Sequence, residues 1–346
     1  MRTLERATLH IRQARLTSGG FLATLHVVSL LKSSFMVAER ERGLVPVTQL
    51  YPRNITSIPG RVFLDISASG CSSGCSYCYI SGPTRPQVLL SHQELDASIT
   101  QLDELRIVDV GPKGTLISLC PNTEPFKTPL STELLLRVLH RILPWKNAVQ
   151  ISTKEVIPPA VLEEIDSLAA FPGQVVLFTS CSTISRASVI EPGAAPPSER
   201  FRNFGTAKAL GARKVVSCLY VKPFLPVTQR DQSAFIEVLQ TLRPDAACVG
   251  ILYQKTDKPA VTALRHPAHP ELGSGGIKVQ MKEFGTALSQ SVGLPVFYTS
   301  PCVSAWARNW YPTPRVWYDF PELCVGCRDC EGEYAGDVGP VLARKG

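Results

Sequence analysis

Between Arg61 and about Leu288, short apolar runs alternate with segments of helical period, and that alternation limits the possible folds more than any other feature. Arg61–Ser67, Thr115–Cys120, Asn147–Thr153, Gln174–Cys181, Lys214–Tyr220 and Ala246–Leu252 each read as a strand. Helix signals separate them. A capping box, Ser91-His92-Gln93-Glu94, opens one helix to about Leu105, and others cover Ser131–Leu143 and Pro158–Ala170. Two more run from Ser198 to Gly211 and over Gln232–Leu242. Strands alternating with helices are joined by right-handed crossovers into a parallel sheet. Six such units predict an α/β fold, an open or partial (β/α)6 barrel of the TIM type. In barrels of this kind reactive groups collect at the C-terminal ends of the strands. No dinucleotide fingerprint follows the first strand, and Gly273-Ser274-Gly275-Gly276 reads as a flexible loop.

At that end of the first predicted strand stands Cys71-Ser72-Ser73-Gly74-Cys75-Ser76-Tyr77-Cys78. Thiolates on one short loop converge on a soft metal centre, and iron–sulfur clusters are the usual guest. A [4Fe–4S] cube held by three cysteines keeps one iron without a protein ligand, which suits a catalytic centre better than a structural one. Gly74 lets the loop turn tightly. The alternative is a zinc knuckle, but structural zinc closes with four ligands and this loop supplies three. A second triplet, Cys324, Cys327 and Cys330, has ferredoxin-like spacing, and Cys302 is its natural fourth ligand. These four predict an auxiliary [4Fe–4S] cluster, with four-cysteine zinc as the alternative. Eleven cysteines of which six fall in two tight triplets imply cofactor binding in a reducing compartment, so the expectation is a cytoplasmic protein.

Charge argues against a dedicated nucleic-acid binder. Seven of the basic and three of the acidic residues lie within positions 1–42, so the net +7 falls to +3 over the rest of the chain. Phe21–Phe35 is apolar but too short to span a bilayer and is interrupted by His26 and Lys32, so it reads as a packed helix. Met36 is an alternative start. The expected organisation is a basic helical arm over 1–58, the barrel over 59–292 and a cluster-bearing extension over 293–346. In that extension Trp306, Trp310, Tyr311, Trp317 and Tyr318 are dense, and core packing is their expected work. Residues 254–276 read as a long loop, and prolines in and after His266-Pro267-Ala268-His269 argue against a metal pair there.

The spacing Cys-x3-Cys-x-aromatic-Cys resembles the cluster loop of the radical S-adenosylmethionine (SAM) superfamily. That resemblance implies a bare iron chelating SAM, reductive cleavage to a 5′-deoxyadenosyl radical, and hydrogen abstraction from a substrate. Further motifs over about 61–253 resemble the spore photoproduct lyase branch. They are Cys120-Pro121-Asn122-Thr123-Glu124-Pro125, Ser152-Thr153-Lys154, Thr179-Ser180 and Glu191-Pro192-Gly193 with Ser198-Glu199-Arg200. The resemblance implies SAM contacts from Tyr77, Glu124 (to the ammonium), Ser152, Lys154 (to the carboxylate), Ser180 and Arg200. Arg200 has a plainer alternative, an ion pair with Glu191 or Glu199. Cys120 is implied as a hydrogen-atom donor, with a buried strand-end cysteine as the alternative, and Cys181, Cys218 and Cys248 read as core. A flavodoxin- or ferredoxin-type electron donor follows by the same analogy. The expected substrate is a small organic molecule such as a nucleoside or natural-product intermediate. The alternatives are a nucleic-acid base, or no substrate at all in a two-cluster electron-transfer protein.

Overall fold

The computed structural model of the protein describes residues 54–58, 60–78, 87–104, 106–225, 229–250 and 274–308. The described residues start with β1 (Ile55–Ile58), β2 (Arg61–Leu64), β3 (Ser67–Ser69), β4 (Val88–Leu89) and α1 (His92–Glu104). It continues through β5 (Leu116–Leu119), α2 (Pro129–Ile142), β6 (Val149–Thr153), α3 (Pro159–Leu168) and β7 (Val175–Ser180). Three short helices follow, α4 (Ala187–Ile190), α5 (Pro197–Arg200) and α6 (Arg202–Ala209). Next come β8 (Val215–Val221), α7 (Gln229–Leu242) and β9 (Ala246–Val249). The last elements described are α8 (Ser274–Val292), β10 (Val296–Phe297) and α9 (Ser300–Ala307).

Eight strands form one sheet in the order β1-β2-β5-β6-β7-β8-β9-β10, while β3 and β4 pair separately. All neighbours from β2 to β10 run parallel, and only β1 is antiparallel. With β1 and β10 at opposite edges, the sheet is an open barrel. The six expected strands are present, and β10 adds a seventh parallel one. The first is shorter than expected, because Asp65 and Ile66 break the ladder before β3. The boundary at 293 falls inside this last unit, since β10 pairs with β9. The boundary at 58 likewise leaves β1, paired with β2, inside the arm.

Buried strands carry the core. All six residues of β7 are buried, as expected of a parallel strand covered on both faces. On the convex side Leu134, Leu135, Val138, Leu139 and Ile142 of α2 pack toward the sheet. Thr128 caps α2, accepting from Ser131 N at 3.1 Å while its own N–H donates to Ser131 Oγ at 3.0 Å. The Ser91–Glu94 box is present as read, with Ser91 N donating to Glu94 at 2.8 Å.

Two expected elements differ. The helix over 198–211 is broken at Phe201, because Arg200 and Phe201 are both fully buried at the join and their anchoring overrides a continuous ladder. Residues 274–276 are helical rather than loop, since α8 is carried by Met281, Phe284 and Leu288, which bury one stripe against the core.

The concave side is filled at its base by α9. Val303, Trp306 and Ala307 pack on Val176, Phe178, Val216 and Cys218, with Trp306 5.6 Å from Phe297. Gly173, just before β7, lies so close that a Cβ there would come within 2.0 Å of the Ala307 carbonyl oxygen. Above this contact a polar network crosses the barrel. Arg61 donates to Ser118 at 2.8 Å and Gln150 at 2.7 Å, and Gln150 donates to Ser304 at 2.7 Å. Among the described residues no helix is long and apolar enough to cross a membrane.

Candidate active site

The cysteine loop leaves β3 through Gly70, at φ 82°, and turns at Gly74, at φ 59°, both left-handed conformations that glycine takes without strain. Its backbone is clamped from across the chain. Ser76 N donates to Ile190 O at 2.9 Å, and Gly193 N donates to Ser73 O at 2.9 Å. A Cβ on Gly193 would sit 2.7 Å from Ser72 O and 2.8 Å from Ser73 O, so only glycine permits this contact. Lys127 reinforces it by donating to the Gly193 carbonyl and to Glu155 at 2.7 Å.

Cys71, Cys75 and Cys78 are unbridged and half-buried. Among the described residues no three His, Cys, Asp or Glu side chains converge on one metal ion. Two hydroxyls nearby, Ser73 Oγ and Ser180 Oγ, are buried without a hydrogen-bond partner, as groups awaiting a polar ligand would be. Burial pushes the Cys75 thiol up to about 11, against the pull of Lys154.

Behind the loop lies a buried ionic hub centred on Glu191. Tyr77 turns inward and its hydroxyl donates to Glu191. Glu191 also pairs with Arg200, and neither side chain has exposed surface. Arg200 donates further to the Ser180 carbonyl at 2.9 Å. Burial alone would raise the Glu191 carboxyl, but the charges of Lys154 and Arg200 outweigh it and hold the group below its usual range. Arg200 therefore takes the plainer of its two expected places, an ion pair with Glu191. Lys154 stands 5.9 Å from the Tyr77 ring. Burial works against its charge, while Cys75, Glu191 and Glu124 outweigh that effect.

The ends of β5 and β6 meet at Glu124. Its carboxylate accepts from the Thr153 hydroxyl and from Lys154 N at 2.7 Å. Cys120 is fully buried at φ 55°, a strained conformation for a non-glycine residue. Burial, with Asp65 and Glu124 nearby, holds its thiol protonated. Asp65, absent from the expected site, accepts from Asn122 N at 3.0 Å and so fixes the loop between Cys120 and Glu124. Ser152 is half-buried on the face that Gln150 shares.

Burial lifts the Glu124 carboxyl from 4.5 to about 7. The folded chain then holds this proton more tightly than the unfolded one. The group's contribution is full below pH 4.5 and lost as the pH rises to 7. Denaturant unfolding of the cofactor-free protein should show the wild type losing up to about 3 kcal/mol over that range relative to E124Q. Equal pH profiles would contradict it.

Cys302 lies on α9, half-buried, where its sulfur accepts from the Thr299 hydroxyl at 2.9 Å and packs with the concave cluster. Cys324, Cys327 and Cys330, most of the aromatic stretch, residues 254–273 and the arm over 1–53 lie outside the described residues. Cys181, Cys218 and Cys248 are buried, as read.

No family model matches the chain. An uncharacterized protein, ORF301, of Acidianus two-tailed virus is 25% identical over 201 residues, 53% of this chain and 62% of that protein. The chain thus spans less than two thirds of that relative. Among solved structures, a spore photoproduct lyase mutant with bound AdoMet and dinucleoside spore photoproduct aligns with a TM-score of 0.50 and 15% identity. That match covers 69% of this chain and 76% of the other. A second lyase mutant aligns at 0.50 and 14%, covering 75% and 80%. At such identity the likeness is one of fold: the chain shares the open, mostly parallel architecture of these spore photoproduct lyase structures.

Proposed function

We propose that this protein is a radical SAM enzyme. The observation that carries the reading is the glycine-clamped loop with three half-exposed thiols at the C-terminal rim of the barrel, flanked by Lys154, Glu124 and Ser180 from successive strand ends. Cys71, Cys75 and Cys78 would hold a [4Fe–4S] cluster, and SAM (AdoMet) would lie beside it. When bound, the two would supply radical chemistry for hydrogen abstraction from a substrate.

The chain's own residues do the positioning. Lys154 offers an ammonium to the SAM carboxylate. Glu124 offers a carboxylate whose burial leaves it short of countercharge, which a SAM ammonium would supply. Ser152 and Ser180 offer hydroxyls. Tyr77 and Arg200 act from behind, through Glu191, to hold the loop in place. Cys120, kept as a thiol by burial, retains the S–H hydrogen that a donor to a product radical needs.

A small organic substrate of nucleoside or natural-product type accords with the nearly neutral body of the chain. The fold shared with a lyase solved with a dinucleoside favours a nucleic-acid base as the second reading. A flavodoxin- or ferredoxin-type donor would supply the electron. The auxiliary cluster stays tied to Cys302, Cys324, Cys327 and Cys330, of which only Cys302 is described. Anaerobically reconstituted protein given SAM and a strong reductant should release 5′-deoxyadenosine and methionine, and deuterium from a labelled candidate substrate should appear in the nucleoside. Iron-loaded protein that releases no 5′-deoxyadenosine would overturn the proposal.

A further inference from the structure

Strand β8 alternates its side chains across the sheet. Val216 and Cys218 face the concave side, and Tyr220 packs beside them, its ring 4.7 Å from Phe178. Lys222 is the next residue in that series, one step beyond the strand end, on the same rim as the cysteine loop. Its Nζ stands 5.8 Å from the centre of the Tyr220 ring. The stem lies across β9 at Gly250, where a Cβ would come within 3.0 Å of Lys222 Cδ. The two strand ends are tied there, with Gly250 N donating to Val221 O at 3.0 Å and Phe224 N donating to Gly250 O at 2.6 Å. The lysine is thus half-buried and aimed by its surroundings.

Its neighbours do not neutralise it. Lys127 pairs with Glu155, and Arg200 with Glu191, while Lys154 has Glu191 and Glu124 nearby. Among the described residues no carboxylate forms an ion pair with Lys222. Close by is Cys248, whose thiol burial pushes up to about 12, against Lys222 and Arg61. Among the described residues the hydrogen bonds of Arg61 go to the neutral Ser118, Gln150 and Ser300. The wall formed by β8 and β9 therefore presents an ammonium and one aromatic face, with no ion-paired carboxylate among the described residues. For such an ammonium a charge-assisted hydrogen bond to an anion is a stronger partner than a cation–π contact.

We infer that Lys222 and Tyr220 form a subsite for an anionic group, carboxylate or phosphate, carried by a substrate with a planar ring. The inference rests on the reading of the barrel rim as an active site, and it names the class of substrate taken there.

The test is a binding measurement on cluster-loaded, full-length protein without SAM, so it can fail while SAM cleavage stands, and the reverse. Uridine is compared with uridine 5′-monophosphate, and benzyl alcohol with benzoate, by calorimetric titration. In the wild type the charged member of at least one pair should bind about tenfold tighter or better, and which pair does so tells phosphate from carboxylate. K222Q should cut that preference to about twofold or less, and K222R, which keeps the charge and checks that the pocket is intact, should retain it. Equal binding within both pairs, no binding at all, or a preference that survives K222Q would overturn the inference.

Discussion

Alanine at Cys71, Cys75 or Cys78 is expected to reduce 5′-deoxyadenosine formation to background and to strip iron from the reconstituted protein, with the fold retained. The three thiols are half-exposed, and Cys75 alone packs against apolar neighbours, Tyr77, Ile190 and Leu225. Truncating such small side chains should cost on the order of 0.5–1 kcal/mol, within the ordinary range for partly exposed positions. The loss of function would come from chemistry, because each thiolate would supply a separate bond to the proposed cluster. Iron content, far-ultraviolet circular dichroism and nucleoside release measured on the same samples separate the two effects. A variant that loses one cysteine and still cleaves SAM would show that the loop holds no catalytic cluster.

Replacing Glu191 by alanine should destabilise the cofactor-free protein by about 3–5 kcal/mol, the usual consequence of leaving a buried charge without its partner. Arg200 would keep its bond to the Ser180 carbonyl but lose its only carboxylate among the described residues, and the Tyr77 hydroxyl would lose its acceptor. Arg200→Met alone should cost a similar amount. The double variant should cost clearly less than the two singles added, since both charges leave together. Urea unfolding of the four proteins checks this, and additive costs, or a single-variant cost under about 1 kcal/mol, would contradict the hub. The same variants bear on function, since Ile190 and Gly193, on either side of Glu191, hold the cysteine loop by its backbone.

How much of this was legible in the sequence follows the range of each interaction. The Ser91–Glu94 box spans three residues and was readable, as were the apolar strands, whose pattern is local. Tyr77 and Glu191 are 114 residues apart, and nothing local says that a hydroxyl in a cysteine loop will turn inward to meet a carboxylate. Asp65 falls inside the stretch read as a strand, Arg61–Ser67, and its partner Asn122 lies 57 residues away. Strand β10 has two residues, too few for a period, and it exists because β9 offers a parallel edge. Helix α9 reads as a short stretch opening Ser-Pro; only the hollow between Phe178, Val216 and Cys218 explains why its small residues are buried. Nothing in the local sequence marks Lys222, and only the gap at Gly250, on the neighbouring strand end, gives its stem a bed.

The proposed chemistry requires Cys71, Cys75 and Cys78 to hold an iron–sulfur cluster with one iron left for SAM. Electron paramagnetic resonance of the reconstituted, reduced protein, recorded with and without SAM, tests it most directly. A reduced [4Fe–4S] signal that shifts when SAM is added, and disappears in the Cys75→Ala protein, is the expected result. A loop that loads zinc in place of iron, or a cluster signal indifferent to SAM, would contradict the account.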